Sequence, residues 1–375
     1  MVTPRLETLH RISEGAQVDA VALIPGANLH TLTGIEFHLM ERPLVTFFAP
    51  GKTSVAVVPA LEAARLAECP IPFEIFPWED ADGPRAAFAA AAGALKLRGT
   101  LGVEGLRMRV MEARLIEEFF LEARLQPLDE ALAELRLRKD TEALAAIREA
   151  IRISEQALEA TLAQVHPGMT EREIASVLTI EQLKRGGGKH PFEPIVLSGP
   201  QSALPHGEPG DRVVQAGEPL LIDFGTTARG YASDITRTFS VGQPSPRLQE
   251  IYEIVRAANE AGRQTAGPGV PAQEVDRAAR RVIEQAGYGP YFTHRTGHGL
   301  GLEAHEAPSI VEGNTLLLDV GMVFTVEPGI YLPEVLGVRI EDDLVITPDG
   351  AESLTTFPRT LRTVGIQKPR SDMVK

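Results

Sequence analysis

EPLLIDFGTTARGYASDITRTFSVG, residues 218–242, and GMVFTVEPGIYLPEVLGVRIEDDLVIT, residues 321–347, share a layout that decides the fold of the second part of the chain. Gly217 stands six residues before Asp223 and Gly225 two after it; Gly321 and Gly329 stand in the same places around Glu327. Each stretch then turns and returns, with Gly230 four before Asp234 and Gly337 four before Glu341. Strand-like apolar runs on both sides of a glycine turn read as β-hairpins, and a repeat of this kind reports architecture. Two similar hairpins, each presenting two acids, are expected.

An acid inside a run such as LLIDFG or FTVEPG is costly, because a desolvated carboxylate without a partner loses several kcal/mol. Four of them need positive charge nearby, and the local sequence offers Arg229, Arg237 and Arg339. A pair of divalent cations answers that need: hard oxygen ligands with one imidazole suit manganese, cobalt or zinc. The imidazole is expected from HRTGHGLGLEAHEAP, where His298 lies between Gly297 and Gly299, residues that permit close backbone approach. A lone histidine or acid in a strand is usually structural. The joint pattern of paired acids in apolar strands around a glycine-flanked histidine is what points to a metal centre.

Outward from these hairpins, FEPIVLSG joins the strand-like runs, and one helical insert at residues 246–285 divides them, so the second domain is mixed with an antiparallel character. Thr170 and Glu173 have capping-box spacing at a helix start, and Gly186 to Gly188 end that helix. Residues 129–164 carry apolar positions at three- and four-residue spacing without Pro or Gly, which reads as helix at the junction between domains. The first 130 residues alternate apolar runs with helical patterns, from VDAVALI through TSVAVVPALEAARLA and FEIFPW to MEARLIEEFFLEA, and read as a small α/β domain. The whole chain is α+β.

Bulk numbers agree with two domains, since 375 residues exceed one ordinary core. The formal charge of −14 disfavours nucleic acid as a partner. The start, MVTPRLETLHR, has no apolar signal core, and no stretch reaches the length of a membrane span, so a soluble cytoplasmic protein is expected. Cys69 is the single cysteine, which rules out an intrachain disulfide and reads as a small buried hydrophobe.

IDFGTTARGYASDITRTF, HRTGHGLGLEAHE, TVEPGIY and GVRIEDDLVIT, with PGANLHTLTG and SGPQSALPHG before them, resemble the creatinase, prolidase and aminopeptidase P family over essentially the whole chain. The resemblance implies an amino-terminal creatinase-like α/β domain at residues 1–130. It implies a pita-bread catalytic domain at residues 131–375, with a helical junction at 131–165 and two pseudo-symmetric halves. It further implies that Asp223 chelates one metal ion, that His298 and Glu327 chelate the other, and that Asp234 and Glu341 bridge both. The ions would be Mn2+ first, with Co2+ or Zn2+ as alternatives, and a hydroxide held between them would attack the scissile carbonyl. Glu327 is also the implied general base.

His206, His305 and Arg339 match the family's outer catalytic and substrate-binding positions. Taken singly, His206 reads as an exposed loop histidine, His305 as a histidine bonded to Glu303 or Glu306, and Arg339 as a salt bridge to the acids. Tyr331 is placed at the pocket, and His38 and Arg42 are placed as a cap over the active site of a neighbouring subunit in a homodimer. The implied activity is Xaa-Pro dipeptidase (prolidase) on dipeptides ending in proline. The alternatives are Xaa-Pro aminopeptidase on longer peptides and, from another class, a non-catalytic binding relative, against which all five ligand positions argue.

Overall fold

The structure is a computed structural model that describes residues 4–365. The chain divides between Arg136 and Leu137 into two compact units. The first is built on a six-stranded mixed sheet of β1 (Ala20–Leu23), β2 (Val45–Phe48), β3 (Ser54–Pro59), β4 (Phe73–Trp78), β5 (Thr100–Val103) and β6 (Arg124–Pro127), in the order β4-β3-β2-β1-β5-β6. Alternation along β1 explains its uniform burial. Val21 and Leu23 pack with Leu9, Leu29 and Leu66 on one face, while Ala20 and Ala22 pack with Phe88, Ala91 and Ile116 on the other. A strand covered by helices on both faces loses the polar half of the period-two pattern, which is why VDAVALI reads as one apolar run.

The junctional stretch forms three helices, Asp129–Leu132, Glu134–Leu137 and Thr141–Leu162. Helix Glu171–Lys184 starts with the full capping box of Thr170 and Glu173. The second unit holds a four-stranded sheet of β7 (Ile195–Ser198), β8 (Pro219–Phe224), β11 (Ile235–Val241) and β19 (Thr363–Val364), ordered β19-β11-β8-β7. Between β8 and β11 stands a short hairpin of β9 (Thr227–Ala228) and β10 (Tyr231–Ala232).

A five-stranded sheet, ordered β13-β12-β14-β17-β18, contains β12 (Gly297–Gly299), β13 (Glu306–Ile310), β14 (Val323–Val326), β17 (Asp342–Thr347) and β18 (Gly350–Ser353). Here β14 and β17 bracket the hairpin of β15 (Gly329–Leu332) and β16 (Leu336–Arg339). The two halves thus repeat strand, hairpin, strand, as the pita-bread architecture requires. The expected helical insert is two helices, Pro246–Thr265 and Ala272–Gln285, interrupted at Gly267, Pro268 and Gly269, where proline and glycine cannot sustain a helix.

Candidate active site

Each acid of the repeat sits where a long strand meets its hairpin. Asp223 lies near the end of β8, Asp234 immediately before β11, Glu327 immediately after β14 and Glu341 immediately before β17. Antiparallel pairing brings Asp223 opposite Thr236 and Val326 opposite Asp342, so each hairpin base holds its two carboxylates side by side. The Glu341 N–H donates to Thr236 O at 3.1 Å, which ties one half to the other.

His298 enters from β12. Glycine is required on both sides of it, because a Cβ on Gly297 would lie 1.9 Å from Thr325 O and one on Gly299 would lie 2.0 Å from Ala307 O. Its Nδ1 is 3.1 Å from Gly299 O, a contact that places the proton on Nδ1 and leaves the Nε2 lone pair directed at the acids. Nε2 is 3.3 Å from Glu327 Oε1 and 3.6 Å from Asp234 Oδ2. Ligand atoms of Asp234, His298 and Glu341 lie within 4.8 Å of one another, a group that could hold a metal ion.

The protein's own charges do not balance this cluster. Burial, reinforced by Glu341, Asp223 and Asp343, pushes the Asp234 carboxyl well above its ordinary range. Burial and then Glu327 and Asp223 do the same to Glu341. Burial raises Glu327 to about 8 even though Arg339 opposes the shift. The imidazole of His298 is driven down to about 3 by burial and by the neighbouring His305 and Arg295, so it adds no positive charge. Asp223 Oδ1 has no hydrogen-bond partner. Three buried acids with the half-buried Glu327 beside them, a neutral imidazole with its lone pair inward and an orphaned carboxylate oxygen fit a divalent-metal centre.

Among the described residues Arg339 is the guanidinium that bonds to one of the four carboxylates. It is buried and donates to Asp223 Oδ2, to the Tyr331 hydroxyl at 2.7 Å and to Thr236 Oγ1 at 3.2 Å. Tyr331 is buried behind the cavity wall rather than in it, and its hydroxyl also meets His294 Nε2 at 2.8 Å.

The acids, His298 and Arg339 open onto a cavity of about 470 Å³ whose wall also holds His206, His294, Arg295 and His305. The His305 ring stands edge-on to His298 with centroids 4.2 Å apart. Glu306 pairs with Lys139 at 2.8 Å. Arg295 donates to Ser309 Oγ at 3.3 Å and has no carboxylate partner among the described residues. Sequence reading passed over Arg295, although its place three residues before His298 was a usable signal. In the first unit His38 is exposed, and Arg42 is held by both oxygens of Asp80 and by Glu41. Cys69 is half-buried, its thiol directed at Thr33 O at 3.7 Å.

Residues 145–348 match metallopeptidase family M24 and residues 5–138 match the Creatinase/Prolidase N-terminal domain. The chain belongs to the creatinase, prolidase and aminopeptidase P family of M24 metallopeptidases. A recombinant prolidase from Thermococcus sibiricus superimposes with a TM-score of 0.91 at 35% identity, over 97% of this chain and 99% of that one. An Xaa-Pro dipeptidase from Bacillus anthracis gives a TM-score of 0.89 at 32% identity, over 96% and 99%. An uncharacterized peptidase of Staphylococcus aureus, MW1651, is 34% identical over 343 residues, 92% of this chain and 96% of the relative. No helix among the described residues is long and apolar enough to cross a membrane.

Proposed function

We propose that this M24 metallopeptidase is a cytoplasmic, dinuclear-metal-dependent, proline-specific peptidase whose substrates are Xaa-Pro dipeptides. The observation that carries the dipeptide reading is Arg295: a cavity of a size suited to a small ligand has in its wall a guanidinium with no carboxylate partner. A free proline carboxylate, present in a dipeptide and absent at that position of a longer peptide, would satisfy it with charge-assisted hydrogen bonds. The activity in the names of the Thermococcus and Bacillus anthracis proteins supports the proline specificity.

Asp223, Asp234, His298, Glu327 and Glu341 would hold two divalent ions, with manganese first and cobalt or zinc as alternatives. Ions held there lower the pKa of water toward neutrality and polarise the scissile carbonyl. Glu327 takes a proton from the attacking water and returns it to the leaving proline nitrogen, while Thr325 Oγ1, 3.4 Å from Oε1, orients the carboxylate. His305, whose pKa burial lowers, is neutral near pH 7, so its ring offers one donor and one acceptor to the substrate's peptide group. His206 lines the same cavity and would donate to the carbonyl oxygen. Arg339 fixes Asp223 and, through Tyr331, His294.

Hydrolysis of Ala-Pro and of Ala-Pro-Ala, compared after loading with manganese, tests the reading. Turnover of Ala-Pro alone supports it; comparable turnover of the tripeptide makes the chain an Xaa-Pro aminopeptidase. Inactivity on both, with no stoichiometric metal in the purified protein, makes it a binding relative. A homodimer in which His38 and Arg42 cap a neighbouring subunit's cavity completes the proposal. Arg42→Ala should slow dipeptide turnover, and an unchanged rate removes Arg42 from the site.

A further inference from the structure

Asn259 lies on helix Pro246–Thr265, outside both hairpins, and is fully buried. Its side-chain Nδ2 donates to Val326 O at 2.9 Å and to Ile340 O at 3.3 Å. Val326 immediately precedes Glu327, and Ile340 immediately precedes Glu341. One amide therefore holds the backbone at the root of both glutamates of the second hairpin. Both neighbours are acceptors, so the nitrogen must face them, and Oδ1 is left without a partner. A buried amide that leaves its oxygen unsatisfied carries a desolvation cost that an apolar side chain of similar volume would avoid.

The same helix is cut to fit this place. One turn on, a Cβ at Gly262 would meet Val326 Cγ1 at 2.9 Å, so glycine lets the helix lie against the strand that leads to Glu327. Beyond the amide, each glutamate is fixed by its own N–H: Glu327 N donates to Thr296 O at 2.7 Å and Glu341 N to Thr236 O at 3.1 Å. Those bonds run to different partners, and among the described residues Asn259 is the side chain bonded to both roots. In the first half the buried amide of Gln182 donates to a single carbonyl, Gly225 O at 2.9 Å, two residues after Asp223, while Ser154 Oγ meets Ser233 Oγ at 2.9 Å, directly before Asp234.

We infer that Asn259 is a positioning residue for the metal centre: its amide sets the separation of the strands that carry Glu327 and Glu341, and so the affinity of the site for divalent ions. The inference rests on the metal-ligand roles proposed above for those two glutamates. Residues that orient metal ligands without touching the ion typically account for about ten- to hundredfold in affinity.

The test is metal affinity on chelator-stripped, full-length protein, measured by competition of manganese and zinc with a chromophoric chelator, for wild type, Asn259→Leu, Asn259→Ser and Val255→Ala. Leucine keeps the volume and removes the donor; serine is the milder change if leucine prevents folding. Val255 is buried one turn earlier on the same helix and has no hydrogen bond to either root, so its truncation reports general loosening of the core. The Asn259 variants should bind about ten- to hundredfold more weakly, while Val255→Ala loses thermal stability yet keeps wild-type affinity. Asn259 variants within twofold of wild type, or no weaker than Val255→Ala, overturn the inference. A wild-type protein that takes up no metal overturns the proposed function, and this inference with it.

Discussion

Arg339, at the end of the second hairpin, donates its guanidinium to Asp223 Oδ2 on β8 of the first half. The pair is buried on both sides, and the same arginine holds Tyr331 and Thr236. In the metal-free protein it is the positive charge bonded directly to this carboxylate cluster, beside Asp234, Glu327 and Glu341. Removing one partner of a buried ion pair typically costs about 3–5 kcal/mol, because the other charge is left uncompensated. Arg339→Met should lose stability of that order in urea denaturation with chelator present, and recover part of it when manganese is added. Arg339→Lys should fall between, since an ammonium cannot reproduce the guanidinium fork. Equal midpoints for wild type and the methionine variant would contradict the assignment.

The two glycines around His298 make a prediction of a different kind. Gly297→Ala places a methyl 1.9 Å from a backbone carbonyl oxygen, which no rotamer change relieves. The strand must move, at a cost above the usual overpacking penalty of about 1–3 kcal/mol. His298 moves with it, so loss of metal binding should accompany the fall in melting temperature. Normal metal content in a Gly297→Ala protein would show that β12 tolerates displacement.

These local relationships explain what the sequence could and could not disclose. The glycine spacing around Asp223 and Glu327 was legible because a hairpin imposes turn chemistry at fixed offsets, and the structure has a hairpin in each place. The strand Val45–Phe48 and the edge strand Arg124–Pro127 were not, since the first is only four residues long and lacks a period-two pattern and the second is short and exposed. In the site, Asp234, His298 and Glu341 could be gathered from sequence because burying such groups demands a reason. Arg295 has only its nearness to His298 in sequence to mark it, and Asn259 has nothing, because a buried amide differs from an ordinary helix residue only in what three-dimensional packing sets against it. Tyr331 reads the same from sequence whether it lines a pocket or backs its wall.

The acids also dictate how stability responds to pH. In the metal-free protein Glu327 titrates at about 8, with burial the main cause, and Asp234 and Glu341 are raised as well. Unfolded carboxyls titrate near ~4, so up to about pH 8 the folded chain holds more of these protons, and the stability they confer is lost as pH rises through the folded pKa. His298, lowered to about 3, and His294, lowered to about 4, both chiefly by burial, act in the opposite sense below the unfolded histidine value. That value is about 6.5, so the window from about pH 6.5 to 8 isolates the carboxyls. Melting temperature in chelator should fall across that window. With saturating manganese the slope should flatten or reverse, since metal competes with protons for the same oxygens. A metal-free profile that rises from pH 6.5 to 8 would contradict the cluster's electrostatics.

Arg295 carries the most discriminating prediction, because it separates a carboxylate anchor from general damage to the cavity. Its guanidinium meets the Ser309 hydroxyl at 3.3 Å and no acid among the described residues, so a substrate carboxylate would form its first ionic bond. A hydrogen bond to a charged group contributes about 1.5–3 kcal/mol, or roughly ten- to hundredfold in kcat/KM. Arg295→Gln should therefore raise KM for Ala-Pro by that factor with a smaller change in kcat, since the carboxylate is bound alike in ground state and transition state. The control is Ala-Pro amide, which has no charge to offer. Wild type should prefer the free acid, and the variant should treat acid and amide nearly alike. If Arg295→Gln slows both substrates by the same factor, the guanidinium serves the centre's charge balance and the dipeptide preference must come from elsewhere in the cavity.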